Sequence, residues 1–80
     1  LTNANLTGAN LHAADLTGAD LTSANCYQCI FFAANMKNAN LTNANLTGAN
    51  LHAADLTGAS IGNAILDNAN LKCINHPICN

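Results

Sequence analysis

Apolar residues return at every fifth position along this chain. Counted in fives from Leu1, the first column holds Leu1, Leu6, Leu11, Leu16 and Leu21, then Cys26, Phe31 and Met36, then Leu41, Leu46, Leu51, Leu56, Ile61, Leu66 and Leu71. The fourth column is Ala from Ala4 to Ala69, interrupted by Cys29 and followed by Ile74. The fifth column is mostly Asn or Asp, and the second and third are polar or small. A period of five suits neither an α-helix nor a flat strand, whose side-chain periods are 3.6 and 2. An α-helix would smear the first column around its whole circumference. The pattern predicts a backbone that turns once per five residues and returns each first-column side chain to a shared interior. The register runs from Leu1 to about Asn75 without an insertion.

The motif Ala-(Asn/Asp)-Leu-x-x, in about fifteen successive copies, resembles the pentapeptide-repeat family over nearly the whole chain. That resemblance implies an all-β fold, a right-handed quadrilateral parallel β-helix. Such a solenoid would have four pentapeptides per square coil and about four coils of twenty residues in this chain. Residues 1–20 and 41–60 differ only in having Asp20 against Ser60, an offset of two such coils. Coils stacked at the ~4.8 Å ladder spacing predict a rod roughly 15–20 Å long. The β-helix is expected over residues 1–75 and a C-terminal cap or tail over 76–80. Pro77, which cannot donate to a ladder, is a credible stop. Solenoid ends expose core and unpaired strands, so the N-terminal end is expected to be covered by a missing segment or by another chain. Coil 2, with Cys26, Phe31, Met36 and Cys29 at inward columns, is expected to repack locally.

Composition narrows the function classes. Only 8% of the residues are charged, and the net charge of −2 provides no basic footprint for nucleic acid. No stretch is apolar and long enough to span a membrane, and no signal-peptide pattern is visible. The chain begins at Leu1, which suits a processed form or an excised segment.

Candidate chemistry rests on four cysteines and three histidines. Cys26-x-x-Cys29 and Cys73-x-x-His76-x-x-Cys79 invite a zinc reading. They lie two coils apart, ~10 Å along the axis, too far for one site with sulfur at about 2.3 Å. No metal and no cofactor is expected. Cys26 and Cys29 fall at inward columns and read as buried thiols acting as small hydrophobes. A disulfide between Cys73 and Cys79 would staple the C-terminal cap and would imply oxidising conditions. His12, Phe32, His52 and Lys72 share an outward column, and the two histidines read as solvated surface. Asp15 and Asp55 are two coils apart, too far to share a proton. The only serines, Ser23 and Ser60, sit at positions the repeat explains, so no catalytic residue is assigned.

An apolar surface feature stands out instead. Tyr27, Ile30 and Phe32 fall in outward columns of coil 2, and Ile65 replaces an outward Asn on coil 4. Such a cluster marks a contact surface, or else the side chains merely pack on one another. The best-supported function is a non-catalytic structural or protein-binding module whose protein partner is unknown, with end-to-end or side-by-side self-association as one form of contact. Nucleic-acid and membrane partners are not expected. The resemblance also implies a runner-up: a DNA mimic acting on a type II topoisomerase such as gyrase. Those relatives are long, strongly acidic rods, whereas this chain has four Asp and no Glu. A lattice-binding role, suggested by the rank Thr2, Thr22 and Thr42, stops at Gly62 and ranks lower. An enzyme ranks last, because the unbroken register leaves no loop for a grafted site. The family's abundance in photosynthetic bacteria leaves two locations open, a cytoplasmic one or a thylakoid lumen or periplasm.

Overall fold

The computed structural model describes residues 1–80. Each pentapeptide through residues 66–70 folds as one turn. The fourth-residue N–H donates to the first-residue carbonyl, from Ala4 to Leu1 at 3.0 Å through Ala69 to Leu66 at 3.1 Å. The third residue holds the positive φ that such a turn needs at its third position. Gly58 does so at 70°, and Asn3, Ala13, Ser23 and Gln28 do so near 60°. Gly48 and Gly58 have a further reason for lacking a side chain: a Cβ there would press on Gln28 and Asn38 of the coil before.

The turns connect coils of twenty residues, coil 1 being 1–20, coil 2 being 21–40 and coil 3 being 41–60, with coil 4 starting at residue 61. Parallel bridges join fifth-column residues of successive coils, as in Asn5 to Asn25 to Asn45 to Ile65 and Asn10 to Ile30 to Asn50 to Asn70. Each coil offers four such positions. The bridges are single residues rather than runs of strand, because a turn intervenes before the chain can extend further. Backbone hydrogen bonds between coils complete the ladder. Leu6 N–H donates to Asn25 O at 2.8 Å, and Asn25 N–H donates to Ala4 O at 2.8 Å.

The first and fourth columns line the interior. In coils 2 and 3 they are fully enclosed, with Leu21, Cys26, Cys29, Phe31, Met36, Leu41, Leu46, Leu51 and Leu56 at 0% exposure. In coil 2, the small Cys26 shares a layer with the large Phe31, which keeps the packed volume in balance. The body is nearly equidimensional, 25 × 22 × 22 Å, so the expected rod is instead a block about as tall as it is wide.

The register does not run to Asn75. At the last pentapeptide Asp55 bridges Ile74, one residue earlier than the twenty-residue spacing requires. Cys73 therefore points inward, at 5% exposure, and Ile74 turns outward at 47%. The expectation that Ile74 continues the inward fourth column is thus corrected. Beyond it, residues 75–80 fold over the end of coil 4, where Asn80 N–H donates to Leu71 O at 2.7 Å. Cys73 and Cys79 are joined by a disulfide, with Cα atoms 5.0 Å apart.

Candidate functional site

The outer wall is built by the fifth column. Every Asn or Asp in it, from Asn5 to Asn70, accepts through Oδ1 the N–H of the residue two positions on, for example Thr7 to Asn5 at 3.2 Å and Tyr27 to Asn25 at 3.1 Å. These are Asx turns, which hold the corner with a side chain. Where Thr follows, its hydroxyl often donates to the same oxygen, as Thr42 does to Asn40 at 2.6 Å. Asp15, Asp20 and Asp55 accept such bonds from Thr17, Thr22 and Thr57. Those bonds, the threonine hydroxyl first and its backbone N–H second, hold each carboxyl below its ordinary value of 3.8.

Ile30 and Ile65 occupy this same column and can form no Asx turn. They are also exposed, at 37% and 48%. Both positions give up a hydrogen bond and leave an apolar side chain in water, a local conflict of the kind found at functional surfaces. Tyr27 and Phe32 flank Ile30 on coil 2, at 41% and 38% exposure. Ile65 lies two coils beyond Asn25 in its own column, so it stands apart from the other three.

His12 and His52 are exposed, as a solvated surface position implies, and their rings also meet this cluster. The Phe32 ring stacks on His52, with centroids 5.2 Å apart and planes 12° apart, and meets His12 at 5.2 Å and 59°. The signal was present in the sequence as the twenty-residue spacing of His12, Phe32 and His52, but spacing alone does not show that the rings touch. Three rings thus form a continuous strip across coils 1 to 3, beside Ile30 and Tyr27.

The cysteines take two roles, and His76 takes a third. Cys26 and Cys29 are free and buried. Burial pushes the Cys26 thiol up to about 12 and raises that of Cys29 as well, so neither forms the thiolate that nucleophilic chemistry requires. Cys29 donates its thiol proton to Leu6 O at 2.9 Å. Cys73 and Cys79 are tied to each other. His76, between them in sequence, caps the stack: its Nε2 lies 3.0 Å from Ala59 O, and its Nδ1 accepts Ile78 N–H at 3.3 Å. The tautomer with the proton on Nε2 satisfies both contacts. The ring thereby replaces the backbone N–H that residue 80 would bring to Ala59 O if the ladder continued, since Asn80 N–H turns to Leu71 O instead, a role the sequence pattern did not suggest. No pocket indents the surface.

Comparisons with known proteins place this geometry. Residues 1–38 and 34–72 match the family model for pentapeptide repeats, in eight copies. A pentapeptide repeat protein from the cyanobacterium Cyanothece 51142 is 32% identical and superposes with a TM-score of 0.88, over 95% of this chain and 53% of its own. One from Nostoc Pcc 7120 is 34% identical, with a TM-score of 0.70 over 90% of this chain and 66% of its own. HetL of Nostoc sp. Strain PCC 7120, involved in heterocyst differentiation regulation, is 36% identical, with a TM-score of 0.53 over 94% of this chain and 38% of its own. The chain thus spans about half the length of the Cyanothece structure. Among curated protein sequences, none matches it. No helix is long and apolar enough to cross a membrane.

Proposed function

We propose that this chain, which belongs to the pentapeptide-repeat family, is a non-catalytic protein-binding module whose contact face is the strip around Tyr27, Ile30 and Phe32. Its architecture on this reading is the right-handed quadrilateral β-helix of that family, a rigid block with flat walls. The observation that carries the reading is Ile30. It takes a column given mostly to Asn and Asp, forgoes the Asx turn, and stays exposed between Tyr27 and Phe32 in sequence. Flat walls without a pocket suit recognition of another flat surface rather than enclosure of a small substrate. The Cys73–Cys79 disulfide fits an oxidising compartment such as a lumen or periplasm. No observation favours the topoisomerase reading, since the surface carries four Asp, no Glu and little net charge.

The flanking coils supply a built-in control. At the positions of Tyr27, Ile30 and Phe32, coils 1 and 3 both carry Thr, Asn and His. The triple variant Tyr27→Thr, Ile30→Asn, Phe32→His therefore gives coil 2 the surface of its neighbours. Affinity capture from the native host should lose a specific protein that the unaltered chain retains. Light scattering at matched concentrations would reveal whether that protein is a second copy of this chain. Identical captured proteins and identical mass for both chains would sink the proposal.

A further inference from the structure

The last pentapeptide fits two registers, and we infer that the Cys73–Cys79 disulfide is a redox-controlled switch between them. In sequence, Leu71-Lys72-Cys73-Ile74-Asn75 fits columns one to five, with an apolar first residue, an apolar fourth and Asn at the fifth. The disulfide-bonded structure does not use that register. Cys73 takes the inward place and Ile74 the outward bridging place. The positive φ falls on Asn75, at 65°, instead of on residue 73. The fourth-to-first turn bond made by every earlier pentapeptide is missing, and Ile74 N–H donates to Ala54 O at 2.9 Å.

The cross-link accounts for the slip. Cys79 belongs to the segment folded over the end of coil 4, so its sulfur meets a partner that faces the interior. In the five-residue register Cys73 would occupy the third column, whose side chains point outward, and the bond could not close over the end. Ile74 would then enter the interior beside Ala54, beneath the segment that folds over the end of coil 4. Burying isoleucine instead of cysteine removes more apolar surface from water. The bond holds one register and apolar burial favours the other, which makes residues 71–75 a two-state element.

Switching requires a dithiol reductant. Its thiolate attacks Cys79 Sγ, which is half-buried, whereas Cys73 is almost fully enclosed. The Cys73–Cys79 bond breaks as the mixed disulfide forms, and Cys73 leaves as a thiolate that takes a proton. The reductant's second thiol then displaces Cys79, which also ends as a thiol. Two electrons have passed to the pair, and the reductant's sulfurs are now joined to each other.

The test is NMR on the isotopically labelled full chain, oxidised and then reduced with dithiothreitol, with mass measurement confirming complete reduction. On reduction the positive φ should move from Asn75 to Cys73, and the Ile74 methyls should gain contacts to Ala54. Exchange of the Asn75 amide should slow at least about tenfold as it takes over the bond to Ala54 O. Cys79→Ser should produce the same state without reductant. Ile74→Asn removes the apolar drive, so that variant should keep the slipped register even when reduced. The inference is overturned if residues 71–75 keep their oxidised dihedral angles after full reduction, if they lose all protection, or if Ile74→Asn shifts register like the unaltered chain.

Discussion

Coil 1 and coil 3 carry the same sequence apart from Asp20 and Ser60, yet they are not equally folded into the interior. Leu41, Leu46, Leu51 and Leu56 are at 0% exposure, while Leu1 is at 57% and Leu6, Leu11 and Leu16 are only half-buried. Asn45 N–H donates to Ala24 O at 3.0 Å, whereas Asn5 N–H makes no backbone hydrogen bond. Within residues 1–80, identical residues therefore differ in environment for one reason: coil 3 is packed on both sides and coil 1 on one. In a stack of this kind burial is a property of the interface between repeats rather than of the repeat. The two ends differ as well. His76, Ile78 and the disulfide pack over coil 4, while Leu1 in coil 1 is exposed.

The largest test of this comparison is a matched pair of truncations. Leu46→Ala should cost about 3–5 kcal/mol, because a fully enclosed side chain is removed between two rigid coils that cannot close the gap. Leu6→Ala, the same change in the same local sequence, should cost about 1 kcal/mol, since its site is half-open and already solvated. Chemical denaturation of both variants measures the difference. Equal losses would mean that the pentapeptide is stabilised locally and that the neighbour argument fails.

A second pair probes room rather than contact. The fourth column is nearly all Ala because a larger side chain would press on the coils above and below. Ala44→Leu should destabilise by about 1–3 kcal/mol through overpacking. Ala4→Leu, with open space on one side, should be close to neutral. Thermal unfolding of the two variants decides it, and a neutral Ala44→Leu would show that the interior is looser than the enclosed coils suggest.

The same comparison explains what was legible in the sequence. The five-residue period and the forty-residue duplication reveal the coil, the inward columns and the outward corners, because those follow from backbone geometry repeated without change. Exposure of Ile30 and Phe32 was legible for the same reason. What the pattern did not reveal arises where repetition stops. The slip at Ile74 occurs beside a bond between Cys73 and Cys79, a contact made across the end and not along the period. His76 gives no hint in sequence that its ring bonds Ala59 O, because its partner is seventeen residues away and belongs to the coil beneath. The contact of Phe32 with His12 and His52 depends on side-chain rotamers, which column membership does not specify.

The smallest expected effect is also the finest test of the twin coils. Asp15 and Asp55 share sequence context, and each is held below 3.8 chiefly by the hydroxyl of the following threonine. Asp55 has more help, from the Asn75 side chain of the C-terminal segment and from Lys37, whose Nζ lies 3.7 Å from its Oδ2. A carboxyl lowered in the folded state favours folding above its unfolded value, and that contribution is lost as pH falls through the lower, folded value. The contribution of these carboxyls should therefore be level at neutral pH and decline only below about 3.8. Asp15 is exposed and Asp55 partly so, and neither carboxyl is enclosed, so the decline is shallow. Asn at either position keeps the Oδ1 that accepts the turn bonds, as Asn5 and Asn45 already do. Asp55→Asn should thus flatten the acid limb of the melting-temperature profile while leaving the fold intact, and Asp15→Asn should flatten it less. If the two variants change that limb equally, the contacts that distinguish Asp55 contribute nothing, and the twin coils differ in burial alone.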